Sequence, residues 1–441
     1  MSGRSRSTPN TANVGAPAAQ AATAHSASAP ATSNASTAEE VVLYLTLNNT
    51  THNKDELPET LAALKQAEHE GLGHRELLAI SDPYWTKDSK GKLTYDEGTY
   101  DGVFGASAAG RVDWWHGDEA LEPGQVRVDG EILTLGTSDV KSDDVTKQAE
   151  IQSNWRKTLM ELGMPEEKSQ ELVDAVLKDG KGNWTGLDSG DGATNELIQF
   201  AMAMHRAEEG EIDVKTVVFS GHHWDEDNRP GQGQGIWGEV PGQGHTYDDT
   251  EDYFSLSDVK NMKDVFPAAF GQVKSVQIAA CNSDSLGMTN AQGEDLTTNQ
   301  FLDSVFENVD MVSYMKEELA PLAKDGAETN GEFVLDAMRY ENGTDRTAAD
   351  AAAKDSRHNL RGLKRSLRNK DGDLEEIRMK TKKSSYVGSA PGLGDGARKD
   401  GLRDQNTLYT DRADLEDWLK NMTSLPEQTA PTRTPTDPTK I

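Results

Sequence analysis

Four short apolar runs, spread along the chain, constrain the fold more than any other feature of the sequence. The runs are VVLYLTL (41–47), VKTVVF (214–219), SVQIAA (275–280) and VDMVSYM (309–315). Continuous apolar runs of this length indicate strands that are covered on both faces. The segments between them are longer than a dozen residues, as crossover connections between parallel strands require. We therefore predict an α/β fold with a mostly parallel sheet flanked by helices.

The first connection is predicted to begin with a helix. The segment 55–70 carries Leu57, Leu61 and Leu64 at a spacing that places them on one helical face, and Gly71 follows as a stop signal. A strand followed at once by a helix is the opening of a βαβ unit, which agrees with a parallel sheet.

A helical insert is predicted between the first and second of these strands. Apolar periodicity returns over 142–162, 165–178 and 194–208, and we place the insert at about 142–193. Ahead of it, GQVRVDGEILTLG (124–136) predicts a hairpin that turns at Asp129-Gly130.

Two further helices are predicted later in the chain. SLSDVKNMKDVF (255–266) has Ser255 or Ser257 as its N-cap. The helix over TNQFLDSVFEN (298–308) is expected to turn four apolar side chains inward, namely Phe301, Leu302, Val305 and Phe306.

Both ends of the chain differ in composition from the middle. Residues 1–38 are mainly Ala, Ser, Thr, Pro and Asn without an aromatic side chain, which predicts a disordered arm. We interpret the arm as a linker or tail, or as a signal that delivers the chain to a secretion or injection apparatus. The α/β domain is placed at 39–345. For 346–441 we predict a basic segment, helical or mobile over 354–373, and a mostly flexible C-terminal tail.

Charge and composition exclude several classes of function. The chain has 45 Lys and Arg against 75 Asp and Glu, a formal charge of −30, which repels phosphate and argues against a general nucleic-acid binder. No apolar stretch is long enough for a spanning helix, and no apolar segment follows Arg4 and Arg6 as in an ordinary secretory signal. We expect a cytoplasmic protein, or one delivered by a non-classical secretion system.

The one cysteine of the chain, Cys281, is the main candidate for chemistry. It cannot form a disulfide within the chain, and it follows directly after the strand SVQIAA. His222 follows the preceding strand in the same way, after Gly221. Carboxyl ends of neighbouring parallel strands meet at one edge of a sheet, where open α/β folds place their sites. A histidine beside a thiol activates it as a nucleophile.

These residues carry a resemblance to a known family. VVFSGHH (217–223) followed by VQIAACNS (276–283) resembles the caspase-like fold of clan CD cysteine peptidases, nearest to the CHAT and separase-related branch. The resemblance covers about 175–325 and extends to the opening unit at 41–70. It implies that Cys281 is the nucleophile, that His222 is the general base and acid, and that the backbone amides of His223 and Cys281 stabilise the oxyanion. It also implies a protein or peptide substrate and no cofactor.

The sequence departs from the family pattern at His223, which stands where relatives have glycine. A side chain at that position leaves less room for a substrate backbone than glycine does. An inactive relative of the family is therefore an alternative interpretation. Family members that cleave after Arg or Lys use a carboxylate in the specificity pocket. The candidates for that role here are Asp284, Asp225 and Asp227.

Two other classes of function remain open from the sequence. One is a non-catalytic interaction or structural protein that keeps the caspase-like fold. The other is a metal-dependent hydrolase, because GHHWDED (221–227) and the distant His245 offer ligand types that zinc accepts. No HExxH spacing is present, so we predict no metal site.

Overall fold

The structure is a computed structural model that describes residues 38–47, 53–81, 84–87, 93–96, 112–113, 115–116, 119–221, 223, 235–237, 253–280, 283–286, 295–315, 324–343 and 363–377. All of these residues belong to one compact unit, which begins at Ala38.

The strands are β1 (Glu39–Thr46), β2 (Glu76–Ser81), β3 (Tyr84–Lys87), β4 (Leu93–Asp96), β5 (Val112–Asp113), β6 (Trp115–His116), β7 (Glu119–Ala120), β8 (Gln125–Val128), β9 (Glu131–Thr134), β10 (Ile212–Ser220), β11 (Gly235–Trp237), β12 (Tyr253–Ser255), β13 (Ser275–Ala279), β14 (Met311–Met315), β15 (Leu363–Arg368) and β16 (Leu374–Ile377). The helices are α1 (Asn53–His69), α2 (Val145–Glu161), α3 (Glu166–Leu177), α4 (Thr194–Glu208), α5 (Leu256–Met262), α6 (Pro267–Gln272), α7 (Thr298–Val305) and α8 (Lys324–Asn342).

The central sheet has seven strands in the order β2-β1-β10-β13-β14-β15-β16. The first five are parallel to one another, while β15 and β16 are antiparallel additions at one edge. The mostly parallel sheet flanked by helices is therefore confirmed. Numbered by their order in the chain, the five parallel strands lie in the sheet as 2-1-3-4-5, so successive strands are added on one side of β1 and then, from β10 onward, on its other side. Such a switch point opens a crevice at the carboxyl ends of the strands.

Each face of the sheet has its own apolar core. Along β1, Leu43 and Leu45 face the larger core, which is covered by the insert and by α4 to α7. Val42 and Tyr44 face the smaller core, which is covered by α1 and α8. All four side chains are fully buried, because a strand with helices on both faces has no solvent side.

The predicted hairpin and helical insert are present. β8 and β9 pair antiparallel, and the turn residues Asp129 and Gly130 have positive φ of 49° and 83°, which a two-residue hairpin turn requires. In α2 the Trp155 ring is buried, and its Nε1–H donates to the Leu135 carbonyl at 2.9 Å. The insert thus shares the larger core rather than forming a separate domain.

Predicted caps and faces of the later helices are also confirmed. The Ser255 hydroxyl caps α5 by accepting from the Ser257 N–H at 3.1 Å. The four apolar side chains expected to point inward from the segment 298–308 are all buried.

The predicted apolar face of α1 is wrong at one position. Leu61 is 44% exposed, and the face that packs against α8 is instead built from Ala63, Leu64 and Ala67. The small side chains let the two helices approach closely. A Cβ added at Gly331 of α8 would lie 2.8 Å from the Glu59 carbonyl oxygen of α1.

The helix or mobile segment predicted over 354–373 is wrong where the structure describes it, because Leu363–Arg368 form β15, which pairs with β14. A strand with one buried face usually shows apolar and polar residues in alternation. The sequence of β15 does not show it, because the charged residue Arg365 points inward. Its side chain is fully buried, and Nη1 donates to an Asp336 carboxylate oxygen at 2.7 Å. Within the described part of the chain, no helix is both long and apolar enough to cross a membrane.

Candidate active site at the carboxyl edge of the sheet

The carboxyl ends of β10 and β13 lie side by side. The two strands are parallel, and Ser220 pairs with Ala279 as the last residues of the register. Beyond them the Gly221 N–H still donates to the Ala279 carbonyl, at 3.3 Å. The residues that continue from both strands therefore leave the sheet from the same point of its edge.

The residues predicted to carry the chemistry fall mostly just past this point. His222 and Cys281 lie outside the described residues, as do Asp225, Asp227 and His245. Their roles stay predictions. Gly221 and Ala280, which precede His222 and Cys281, are described and buried.

His223 is described, and its imidazole lies inside the fold. The side chain is 2% exposed, and Nδ1 lies 2.9 Å from the carbonyl oxygen of Gly235 in β11. Since a carbonyl oxygen only accepts, Nδ1 carries the proton in this contact. The His223 side chain is thus accommodated in the interior, where it ties the segment after β10 to β11.

The segment after Cys281 is fixed by Ser283. Its buried hydroxyl accepts from the Met315 N–H at 2.9 Å and donates to the Ile278 carbonyl at 3.3 Å. Its own carbonyl accepts from the Thr298 hydroxyl at 2.7 Å. These bonds join Ser283 to β13, to β14 and to the start of α7.

Asp284, a predicted specificity residue, is partly exposed in the short 3-10 helix Ser283–Ser285. It lies near the Tyr314 phenol of β14. Burial raises the pKa of Tyr314, and the negative charges of Glu376 and Asp284 add to that rise. A carboxylate is therefore present beside the turn that follows Cys281. Its role in substrate binding stays a prediction.

A chain of buried polar side chains lies beneath this edge, on the face covered by α1 and α8. The Glu56 carboxylate accepts from the Ser220 hydroxyl at 3.0 Å and from the Tyr44 hydroxyl at 3.1 Å. The Tyr44 oxygen accepts from the Asn330 amide at 2.8 Å, and the Asn330 carbonyl accepts from Gln277 at 2.5 Å. Sequence reasoning missed this network, although Tyr44 and Gln277 each interrupt an apolar strand.

Among the side chains that the structure describes, one group could hold a metal ion, formed by Glu39, His74 and Glu76. All three are exposed and stand at the amino ends of β1 and β2. This group is at the opposite edge of the sheet from the carboxyl ends of β10 and β13, so it adds nothing to the metal-hydrolase alternative.

The described structure defines the class of the protein as α/β, with a seven-stranded, mostly parallel sheet and a switch point at its carboxyl edge. No protein-family model matches the sequence, and no curated protein matches it. Among solved structures, the chain is similar to a secreted C11 cysteine protease from Bacteroides thetaiotaomicron, determined in complex with an irreversible peptide inhibitor. The TM-score is 0.29 and the identity 10%, over 75% of this chain and 66% of that chain.

Proposed function

We propose that the chain is a caspase-like cysteine endopeptidase in which Cys281 is the nucleophile and His222 transfers protons. The observation that carries the proposal is the register of β10 and β13. Each paired residue of β10 is 59 positions before its partner in β13, from Thr216 and Ser275 to Ser220 and Ala279. His222 and Cys281 have the same separation in the sequence. Two residues beyond the last pair, the chain thus carries the thiol and the imidazole at matching positions.

The proposed chemistry proceeds through a thioester. The Cys281 thiolate attacks the carbonyl carbon of the scissile peptide bond, and the C–N bond breaks as His222 gives its proton to the leaving amine. Water then attacks the thioester while His222 takes a proton from it. The acid product leaves and the thiol is restored. The amides of His223 and Cys281 are the proposed donors to the oxyanion.

The buried position of the His223 side chain supports an open site. The main objection to activity is that a side chain replaces the family's glycine. In the structure that side chain lies in the interior and bonds to Gly235, so it does not occupy the surface that a substrate would approach. The backbone amide can then serve the oxyanion as glycine would.

The proposed specificity is cleavage after Arg or Lys. Of the three carboxylates that the sequence suggests for binding the basic side chain, the structure describes Asp284. Asp225 and Asp227 remain candidates as well. A carboxylate in the pocket would bind a basic side chain as a charge-assisted pair. The basic segment 354–383 then offers a self-processing site, which intact mass of the wild type and of Cys281→Ala tests.

Labelling with peptidyl acyloxymethyl ketones that carry Arg, Lys, Asp or Leu next to the reactive group tests the activity. We expect the wild type to be labelled at Cys281, with Arg and Lys preferred, and both Cys281→Ala and His222→Ala to lose labelling. His74→Ala is the matched control, because His74 is exposed at the opposite edge of the sheet. Equal labelling of wild type and His222→Ala would contradict the dyad, and labelling of none would favour the non-catalytic alternative.

A further inference from the structure

The strand pair β11–β12 is packed so closely that it fixes the place of one carbonyl group. Gly235 of β11 pairs with Ser255 of β12. A Cβ added at Gly235 would lie 2.1 Å from the Phe254 carbonyl oxygen, so a larger residue would have to move β11 away from β12. The position of the Gly235 carbonyl is therefore set by the contact between the two strands.

Aromatic packing fixes β12 to the central sheet and to its covering helix. The ring of Phe254 is fully buried, and its centroid lies 6.1 Å from that of Phe219 in β10. On the other side it lies 6.5 Å from the centroid of Phe200 in α4. Rings in contact in a close-packed interior leave a strand little room to shift. The strand pair is thus held against β10.

Buried hydrogen bonds fix the same strand to the segment ahead of α4. The Ser255 N–H donates to the Ser189 hydroxyl at 2.9 Å, and that hydroxyl donates to the Asp258 carboxylate at 2.6 Å. The Gly190 N–H donates to the Tyr253 carbonyl at 2.7 Å. Both ends of β12 therefore have backbone partners outside the strand pair, which adds to the packing of Phe254.

The His223 imidazole connects this strand pair to the segment that leaves β10. Its Nδ1–H donates to the Gly235 carbonyl at 2.9 Å, and the side chain is 2% exposed. One methylene group joins the ring to the backbone, so the bond restricts where the backbone of residue 223 can lie. Nearer the sheet, the Gly221 N–H donates to the Ala279 carbonyl at 3.3 Å. Gly221 and His223 are thus bonded to two different strands.

We propose that His223 is a positioning residue, whose imidazole holds the backbone amide of the same residue in place for the oxyanion by bonding to Gly235. Glycine at this position has no side chain to make the bond and gives the backbone more freedom. An oxyanion donor is most effective when it is held in place before the reaction begins. This inference rests on the proposed function, because it concerns the amide that the proposed mechanism uses.

His223→Gly, which introduces the residue of the family, tests the inference directly. An obstructing side chain predicts faster cleavage by this variant, whereas a positioning side chain predicts slower cleavage. The substrates are peptidyl aminocoumarin amides that end in Arg, Lys, Asp or Leu. For those that the wild type cleaves, we expect kcat to fall roughly 10- to 100-fold and KM to change less than about threefold.

Two further variants separate the hydrogen bond from the size of the side chain. His223→Ala should lose as much kcat as His223→Gly does, because it also lacks a donor. The side-chain amide of Asn places an N–H close to the position of Nδ1 in histidine. His223→Asn should therefore recover most of the lost kcat.

Alkylation by iodoacetamide distinguishes a misplaced amide from a damaged thiol. In this reaction the Cys281 thiolate displaces iodide from a saturated carbon, so no oxyanion forms. Cys281 is the only cysteine, and the rate reports on it alone. We expect His223→Gly and His223→Ala to be alkylated within about twofold of the wild-type rate while their kcat falls, because the reactivity of the thiolate itself is unchanged.

The matched control is His205→Ala. His205 is also a buried histidine, 7% exposed, but it lies in the last turn of α4. Its loss should lower the urea midpoint and leave kcat unchanged. Gly235→Ala displaces the acceptor instead of the donor and should lower kcat as well. Combined with His223→Ala it should cost little more, since both changes break the same bond.

The outcomes distinguish this inference from the proposed function. The positioning role is wrong and the peptidase stands if the wild type cleaves a peptide amide and His223→Gly is as fast or faster. The same holds if kcat and alkylation fall by one factor, or if His223→Asn is as slow as His223→Ala. If the wild type neither cleaves these amides nor reacts with peptidyl ketones, the proposed function is wrong, and the positioning role is wrong with it.

Discussion

The Met315 N–H donates a 2.9 Å hydrogen bond to the Ser283 hydroxyl, which ties the end of β14 to the turn that follows β13. Ser283 is fully buried and lies two residues after Cys281. The same hydroxyl donates back to the Ile278 carbonyl. A single side chain thus sets the path of the chain on the far side of the proposed nucleophile.

Replacing Ser283 with Ala should destabilise the protein and slow the reaction of its thiol. The change leaves the Met315 N–H without its acceptor in a buried place, which costs about 1–3 kcal/mol. We expect a lower urea midpoint and slower alkylation of Cys281. Ser304→Ala is the control, because that hydroxyl donates to the Phe301 carbonyl within α7. Equal effects of both variants on alkylation would show that Ser283 does not position the turn.

Gly331→Ala should lower stability by about 1–3 kcal/mol, because the added Cβ would lie 2.8 Å from the Glu59 carbonyl oxygen and force α8 away from α1. The displacement would also disturb Asn330, its neighbour in the buried network. Gly271→Ala in α6 is the control, since its Cβ would meet Asn308 at an ordinary 3.6 Å. There we expect no loss, and a small gain from helix propensity. Urea unfolding of both variants checks the contrast.

Much of the fold follows from local patterns. β1, β10, β13 and β14 are apolar runs, and the hairpin at Asp129-Gly130 is fixed by turn residues. Each of these signals involves only residues that are neighbours in the chain, so it can be recognised in a single sequence. The meeting of the carboxyl ends of β10 and β13 then follows from the crossover connection between parallel strands. The order of the strands in the sheet and the strand β2 were not predicted.

The features that the sequence hid depend on partners far along the chain. Arg365 is inward in β15 because Asp336 neutralises it, and no local pattern announces that pair. The predicted buried face of α1 was wrong at Leu61, because the contact with α8 is made by Ala63, Leu64 and Ala67 instead. The Glu56 network joins residues from positions 44 to 330, and its one local sign is a polar residue inside an apolar strand.

Arg365→Met should destabilise the protein by about 1–3 kcal/mol, because it removes one of the two cations beside Asp336, which is itself 3% exposed, while Arg339 stays 3.2 Å from the other carboxylate oxygen. Burial raises the pKa of Asp336, and the charge of Arg365 opposes that rise, so losing Arg365 should raise the pKa further. The double variant Arg365→Met with Asp336→Leu should recover most of the loss, since apolar pairs often replace buried ion pairs without cost. A double-mutant cycle in urea measures the coupling, and additive losses would contradict the pairing.

The stability of the protein should fall between about pH 4 and pH 7 because of Asp258. Burial raises the pKa of this carboxyl to about 7, and the charge of Asp188 adds to the rise. Below the ordinary pKa of 3.8, the Asp258 carboxyl is protonated in both the folded and the unfolded protein. The free energy of unfolding then has its highest contribution from this group. As the pH rises toward 7, the unfolded chain releases the proton first, so the free energy of unfolding falls, by about 4 kcal/mol at most.

Asp258→Asn should remove this pH dependence while keeping an oxygen that accepts from the Ser189 N–H, which lies 2.8 Å from the carboxylate in the wild type. Urea unfolding at pH 5 and pH 8 measures it: the variant should lose less stability than the wild type between the two values. Asp264→Asn is the control, since Asp264 is exposed just beyond α5 and should follow the wild type. Parallel behaviour of all three proteins would show that Asp258 titrates as an ordinary surface carboxyl does.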